Sequence, residues 1–114
     1  MAGQDGMPRD PGALTARLSL EQPVEEQDGQ GGVSIAFAAL GSVWCRVEPV
    51  STVLEEEAGA EAAIATHRIW LGYREDIRRG LYFRKGLRLF RVLSVIDPDE
   101  TKRFLKVTVE EEGR

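Results

Sequence analysis

Few side chains in this sequence are spaced for chemistry, and each candidate has a competing structural role. Asp97 and Asp99 could act as an acid–base pair or hold a cation, but they flank Pro98. Aspartates beside a proline at a turn are expected for their bonds to nearby backbone amides. GQGG at residues 29–32 lacks the preceding strand, following helix and Lys-Ser/Thr pair of a phosphate loop, so it reads as a plain loop. His67 is the single histidine and Cys45 the single cysteine, which leaves no ligand set for zinc and no intrachain disulfide. Cys45 alternates with Val43 and Val47 and is expected to be a small buried residue. With one histidine and no base–orienter pattern, nucleophilic catalysis has no support either. The expectation is a protein that is not an enzyme and uses no cofactor or metal.

The richest chemistry lies in a basic and aromatic set: Arg68, Trp70, Arg84, Lys85, Arg88 and Arg91. Small barrels bind single-stranded nucleic acid through aromatic platforms framed by cations, and Arg68 and Trp70 share a strand face. Against this stands a pI near 5.1 and a net charge of -4. The charge is also segregated. Residues 1–65 carry 3 basic and 11 acidic side chains, whereas residues 66–106 carry 11 basic and 5 acidic. Such polarity suits steering one surface onto an oppositely charged one, so a docking protein is the leading expectation and a nucleic-acid-binding barrel the alternative.

The elements that must position these residues are strands. Leu14, Leu18 and Leu20 alternate in a first strand that Pro23 is expected to close, followed by the polar, Gly-rich VEEQDGQGG. VSIAFAAL (33–40) suits a strand or a short helix, with Gly41-Ser42 as a break. VWCRVE (43–48) is a strand with Val43, Cys45 and Val47 inward and Trp44 opposite, and Pro49 ends it or sets it at an edge. Residues 51–64 form an acidic, alanine-rich excursion, read as a short helix or a long loop. In the next strand Ala65, His67, Ile69, Leu71 and Tyr73 share one face. A short strand at 81–83, a tight turn at Arg84-Lys85-Gly86, a long strand at 87–96, an Asp97-Pro98-Asp99 reversal and a last strand at 104–109 complete the pattern. About six short strands joined by tight turns predict an all-β fold, a small antiparallel barrel whose closure removes exposed edges.

Residues 1–12 contain three Gly and two Pro without an apolar period, so a flexible arm is expected there, with one barrel domain over 13–114. The opening residues lack the basic and apolar regions of a signal peptide, and no apolar run approaches the roughly 20 residues that span a bilayer. No membrane contact is expected.

The order of landmarks resembles the head–tail joining family of tailed phages, also called head-closure or stopper proteins, and their gene transfer agent relatives. The similarity runs from Leu14 to Glu111 and rests on Trp44, Val47, Glu48 and Pro49, on Thr66-His67-Arg68-Ile69, and on Asp97-Pro98-Asp99-Glu100 after a long apolar strand. VSIAFAAL is more apolar, and the arm longer, than that family's pattern. The resemblance implies a β-barrel subunit that forms a ring, dodecameric by that resemblance, below a portal-bound adaptor. Such a ring would close the channel over packaged double-stranded DNA and dock a tail terminator or tail tube; a tail-terminator role is the nearby alternative. It implies assembly in the cytoplasm and residence in the neck of the particle. Glu55, Glu56, Glu57 and Glu61 are then the candidates for a channel gate or an inter-subunit loop. Arg68, Trp70, Arg84, Lys85 and Arg88 are candidates for a partner surface.

Overall fold

The computed structural model describes residues 11–55 and 63–113. A short 3-10 turn, Pro11–Ala13, leads into six antiparallel strands: β1 (Ala16–Gln27), β2 (Val33–Glu55), β3 (Ala63–Gly72), β4 (Tyr82–Lys85), β5 (Arg88–Ile96) and β6 (Phe104–Glu111). They close into a barrel in the order β1-β2-β3-β6-β5-β4. The all-β expectation is met.

The alternation read from the sequence sets the core. Leu18 and Leu20 from β1, Cys45 from β2, Ile69 and Leu71 from β3, Phe83 from β4, Phe90 and Val92 from β5 and Leu105, Val107 and Val109 from β6 all point into the barrel and are buried. Ile77 and Leu81, from the segment before β4, complete it. Burial of the period-2 face is what fixes register here, because a one-residue slip would turn this whole set outward. In β5 Val92 and Leu93 are both buried, and the register shifts between Val92 and Ser94. That bulge turns two successive side chains away from solvent.

Several boundaries differ from the sequence expectations. Pro23 does not end β1; the strand continues to Gln27 and pairs with β2 throughout. Beyond Glu21 β1 has a neighbour on one side only, and on such an edge a proline without an amide proton costs no ladder bond. VEEQ therefore belongs to a strand, and the turn shrinks to Asp28–Gly32. There Asp28 accepts bonds from the Gln30 and Gly32 amides at 2.8 and 2.9 Å. VSIAFAAL is strand, and Gly41-Ser42 does not interrupt it. Instead Leu20 pairs Gly41 and Glu21 pairs Ala39, so the pair bulges at Leu40, and Gly41 takes φ 142°. β2 also runs on past Pro49, with a register shift between Pro49 and Val53, and at 23 residues it is the longest strand, not β5. The reading of 51–64 as helix or loop is replaced by strand at both ends, to Glu55 and from Ala63.

The β4–β5 turn lies at Gly86-Leu87 and not at Arg84-Lys85-Gly86: Arg84 and Lys85 are the last residues of β4, and the Lys85–Arg88 pair closes the two-residue turn. Gly86 adopts φ 60° at its first position, as a type II′ hairpin requires, and Leu87 stands fully exposed at the tip. The Asp97-Pro98-Asp99 reversal works as the residue types suggest. Asp97 accepts from the Lys102 amide at 3.0 Å, and Asp99 accepts from the amide and hydroxyl of Thr101 at 3.2 and 2.7 Å.

Cys45 lies fully buried in this core, and burial pushes its thiol from the usual 9.0 up to about 12. The unfolded chain therefore gains a thiolate as pH rises above about 9 while the folded chain keeps its proton. This contribution to stability is fully present below pH 9 and is lost as pH climbs toward 12. Urea titrations across that range are expected to show a steeper alkaline loss for the native chain than for Cys45→Ala. At pH 8 a thiol reagent is expected to label Cys45 only at the rate of unfolding.

Candidate functional site

One end of the barrel carries the start of β1, the β4–β5 hairpin, the Pro49 stretch of β2, the start of β3 and the end of β6. Here a cleft of about 380 Å³ opens between Thr15, Ala16, Arg46, Val47, Pro49, His67, Lys85 and Arg88. Its wall is built on a charge-assisted fork. Arg88 donates from Nε and Nη2 to the two carboxylate oxygens of Glu111, at 2.9 and 3.1 Å, and Glu111 is nearly buried. The Arg88 guanidinium also covers the Phe90 ring at 4.9 Å, and the buried His67 meets the same ring edge-on at 5.2 Å. His67 Nε2 lies 3.4 Å from Arg88 Nη2. Nε2 also lies 4.0 Å from Glu111 Oε1, and Nδ1 lies 2.9 Å from Thr66 Oγ1. Thr66 Oγ1 accepts from the Glu111 amide at 2.7 Å. Lys85 is exposed on the rim, and Val47 and the exposed Pro49 supply the apolar part of the lining.

A second polar centre lies on the barrel's outer wall. Glu48 Oε1 accepts from the indole Nε1 of Trp70 at 3.0 Å and from Arg68 at 3.4 Å, and Arg46 approaches its other oxygen at 3.8 Å. Trp70 is 1% exposed although its neighbours Ile69 and Leu71 face the opposite way, into the core. It is therefore no stacking platform in this chain, and its placement on an exposed partner surface is corrected: the ring is spent on tying β3 to β2 through Glu48. The exposed indole is Trp44, 55% accessible, with the Arg17 guanidinium 5.8 Å from its ring and a shallow 280 Å³ cleft beside it formed with Leu14, Gly72 and Tyr73.

The five residues expected to form one partner surface thus divide. Arg84, Lys85 and Arg88 gather on the β4–β5 hairpin, with Arg84 donating to Glu21 at 2.9 Å, while Arg68 and Trp70 belong to the Glu48 centre. Of the family-pattern residues, Glu48 holds that centre, Pro49 lines the cleft, and Asp97 and Asp99 shape the turn. Glu56, Glu57 and Glu61 lie outside the described residues, as does the side chain of Glu55. Sequence reasoning missed the Thr66–His67–Arg88–Glu111 network, since its members are far apart in the chain. Among the described residues no three His, Cys, Asp or Glu side chains converge as a metal site, and no helix is long and apolar enough to cross a membrane.

The family of phage head completion proteins matches residues 9–112. The chain belongs to that family. This head completion protein has a structural role in the phage head–tail assembly, and its barrel is similar to solved relatives along nearly its whole length. A chain in the virion of a native gene transfer agent particle matches at 28% identity and a TM-score of 0.64, covering 92% of this chain and 96% of that one. Protein SF1141 from Shigella flexneri 2a shares the fold at 24% identity and a TM-score of 0.64, covering 90% and 96%. No curated protein matches the chain.

The Arg88–Glu111 fork ties β5 to β6 at the cleft. A double-mutant cycle with Arg88→Met and Glu111→Gln, read by urea denaturation, is expected to give a coupling of about 1–2 kcal/mol, below that of a fully buried pair because Arg88 is partly solvated.

Proposed function

We propose that this head completion protein is the subunit of a ring in the neck of a tailed phage or gene transfer agent particle. In this reading the ring sits on a portal-bound adaptor, closes the channel behind packaged double-stranded DNA and presents the docking surface for a tail terminator or tail tube. The observation that carries the proposal is the end-to-end likeness to a gene transfer agent virion chain, which leaves nearly no part of either chain unmatched. The closed barrel supports it mechanically. Closure leaves the barrel wall without bare strand edges, so contacts between copies can be confined to its ends and extensions.

The β2–β3 excursion is the proposed element facing the channel. β2 and β3 pair as far as Glu55 and Ala63, so they deliver it as a hairpin from the same barrel end as the basic cleft. Glu55, Glu56, Glu57 and Glu61 would repel phosphates there and keep a passing duplex from adhering. A single-stranded nucleic-acid role loses its main support with the burial of Trp70.

The purified chain is expected to sediment as a monomer or weakly associated species and to form rings when a portal–adaptor complex is added. Analytical ultracentrifugation with and without that template reads this directly. A chain that ignores the template contradicts the proposal. Replacing the four glutamates by glutamine is expected to leave ring formation intact and to alter retention of packaged DNA.

A further inference from the structure

At the opposite barrel end the β1–β2 hairpin leaves the wall. β1 pairs β4 only at Ser19, Leu20 and Glu21, and β2 meets β3 only from Cys45 onward. Between these limits the two strands pair with each other alone and project as a two-stranded ribbon from about Gln22 to Ala39, roughly 20 Å long. Its root is fixed: Phe37 meets Tyr82 edge-on at 5.1 Å and lies under the Arg84 guanidinium at 5.2 Å. Its outer part is not. Val33 is 57% and Ile35 56% exposed on one face, and Val24 is 39% exposed on the other.

The two ribbon edges are chemically unlike. The β1 edge carries Pro23, Glu25 and Glu26, the residue types that guard a strand from further pairing, whereas residues 33–40 of β2 contain neither proline nor charge. A two-stranded ribbon is marginal in water without a surface to pack on, so an uncovered apolar ribbon of this length needs a partner. The charge pattern says which. From residue 18 to residue 45 the chain holds Glu21, Glu25, Glu26 and Asp28 and no Lys, Arg or His. The surface that matches is the cleft at the far end of the same barrel, where exposed Lys85 stands on the rim beside Val47, Pro49 and the outer side of Arg88, whose other side holds Glu111.

We propose that the β1–β2 ribbon of one copy docks on the basic cleft of the next. The contact is heterologous, with one end of a subunit meeting the other end of its neighbour, and such a contact closes into a ring when its rotation divides a full turn. The ribbon face of Val33 and Ile35, which by register also carries Glu25, covers Val47 and Pro49, and Glu25 and the tip at Asp28 meet Lys85 and the outer side of Arg88. This inference rests on the ring reading above and names the surfaces that build it.

The test is cross-linking within assembled particles made with the full chain carrying Ser34→Cys and Thr15→Cys. Both positions are exposed, one on the ribbon and one on the cleft rim. They stand roughly 35 Å apart along the strands of one chain, too far to bridge internally, and the buried Cys45 does not compete. A bismaleimide is expected to give a ladder of multiples of the chain, while either single variant gives none. Glu25→Lys, or Lys85→Glu, is expected to reduce the ladder about tenfold, and combining the two to restore it. A ring visible in micrographs of the particles without a ladder, or Ser34→Cys cross-linked to a different protein, overturns the ribbon contact and leaves the ring reading standing. Absence of any ring defeats both.

Discussion

The whole structure depends on a short seam. β4 contributes four residues, and only three of its pairs, Ser19–Arg84, Leu20–Phe83 and Glu21–Tyr82, join β1 and so close the sheet. Without that seam β1 and β4 would be bare edges of an open sheet, with their amides and carbonyls offered to any passing strand. Two features hold it. Phe83 and Leu20, opposite each other in register, are both fully buried, and the Arg84 guanidinium bonds the nearly buried carboxylate of Glu21. The same arginine lies over Phe37, so closure of the barrel and anchoring of the ribbon root share one side chain.

From closure follows the division of the described residues into a wall and, at its two ends, the β1–β2 ribbon and the paired ends of β2 and β3. The wall satisfies its own hydrogen bonds and buries its own apolar face. The β1–β2 ribbon leaves one end and the β2–β3 excursion leaves the other, both carried by the single long strand β2. β2 spends only its middle in the barrel, and its bulge at Leu40 and register shift after Pro49 mark the two points where it departs. A subunit built this way suits assembly, since the wall buries its own apolar face while the projecting β1–β2 ribbon leaves Val33 and Ile35 exposed.

Much of this was legible in the chain. The alternation of Ala65, His67, Ile69 and Leu71, and of Leu105, Val107 and Val109, is read directly because each strand has one buried face. The turns at Gly86 and at Asp97-Pro98-Asp99 were equally plain, since their residue types are demanded by local backbone geometry. What sequence hid was long-range. Pro23, Gly41 and Pro49 look like stops but sit at an edge, a bulge and a register shift, where a tertiary neighbour decides their effect. Trp70 reads as outward by parity and is nevertheless buried, with its indole bonded to Glu48 across the strand pair. The apolar run VSIAFAAL stands out in the sequence, but only the missing neighbours on either side of the ribbon explain why it stays exposed.

The central claim is that this barrel is a ring-forming subunit of the particle neck. Electron cryo-microscopy of particles containing the chain tests it most directly. The account predicts a closed ring of barrels between the portal and the tail, with the β2–β3 hairpins directed to the channel. Particles whose neck lacks the chain, or in which it lies along the tail tube or in the capsid shell, would contradict it.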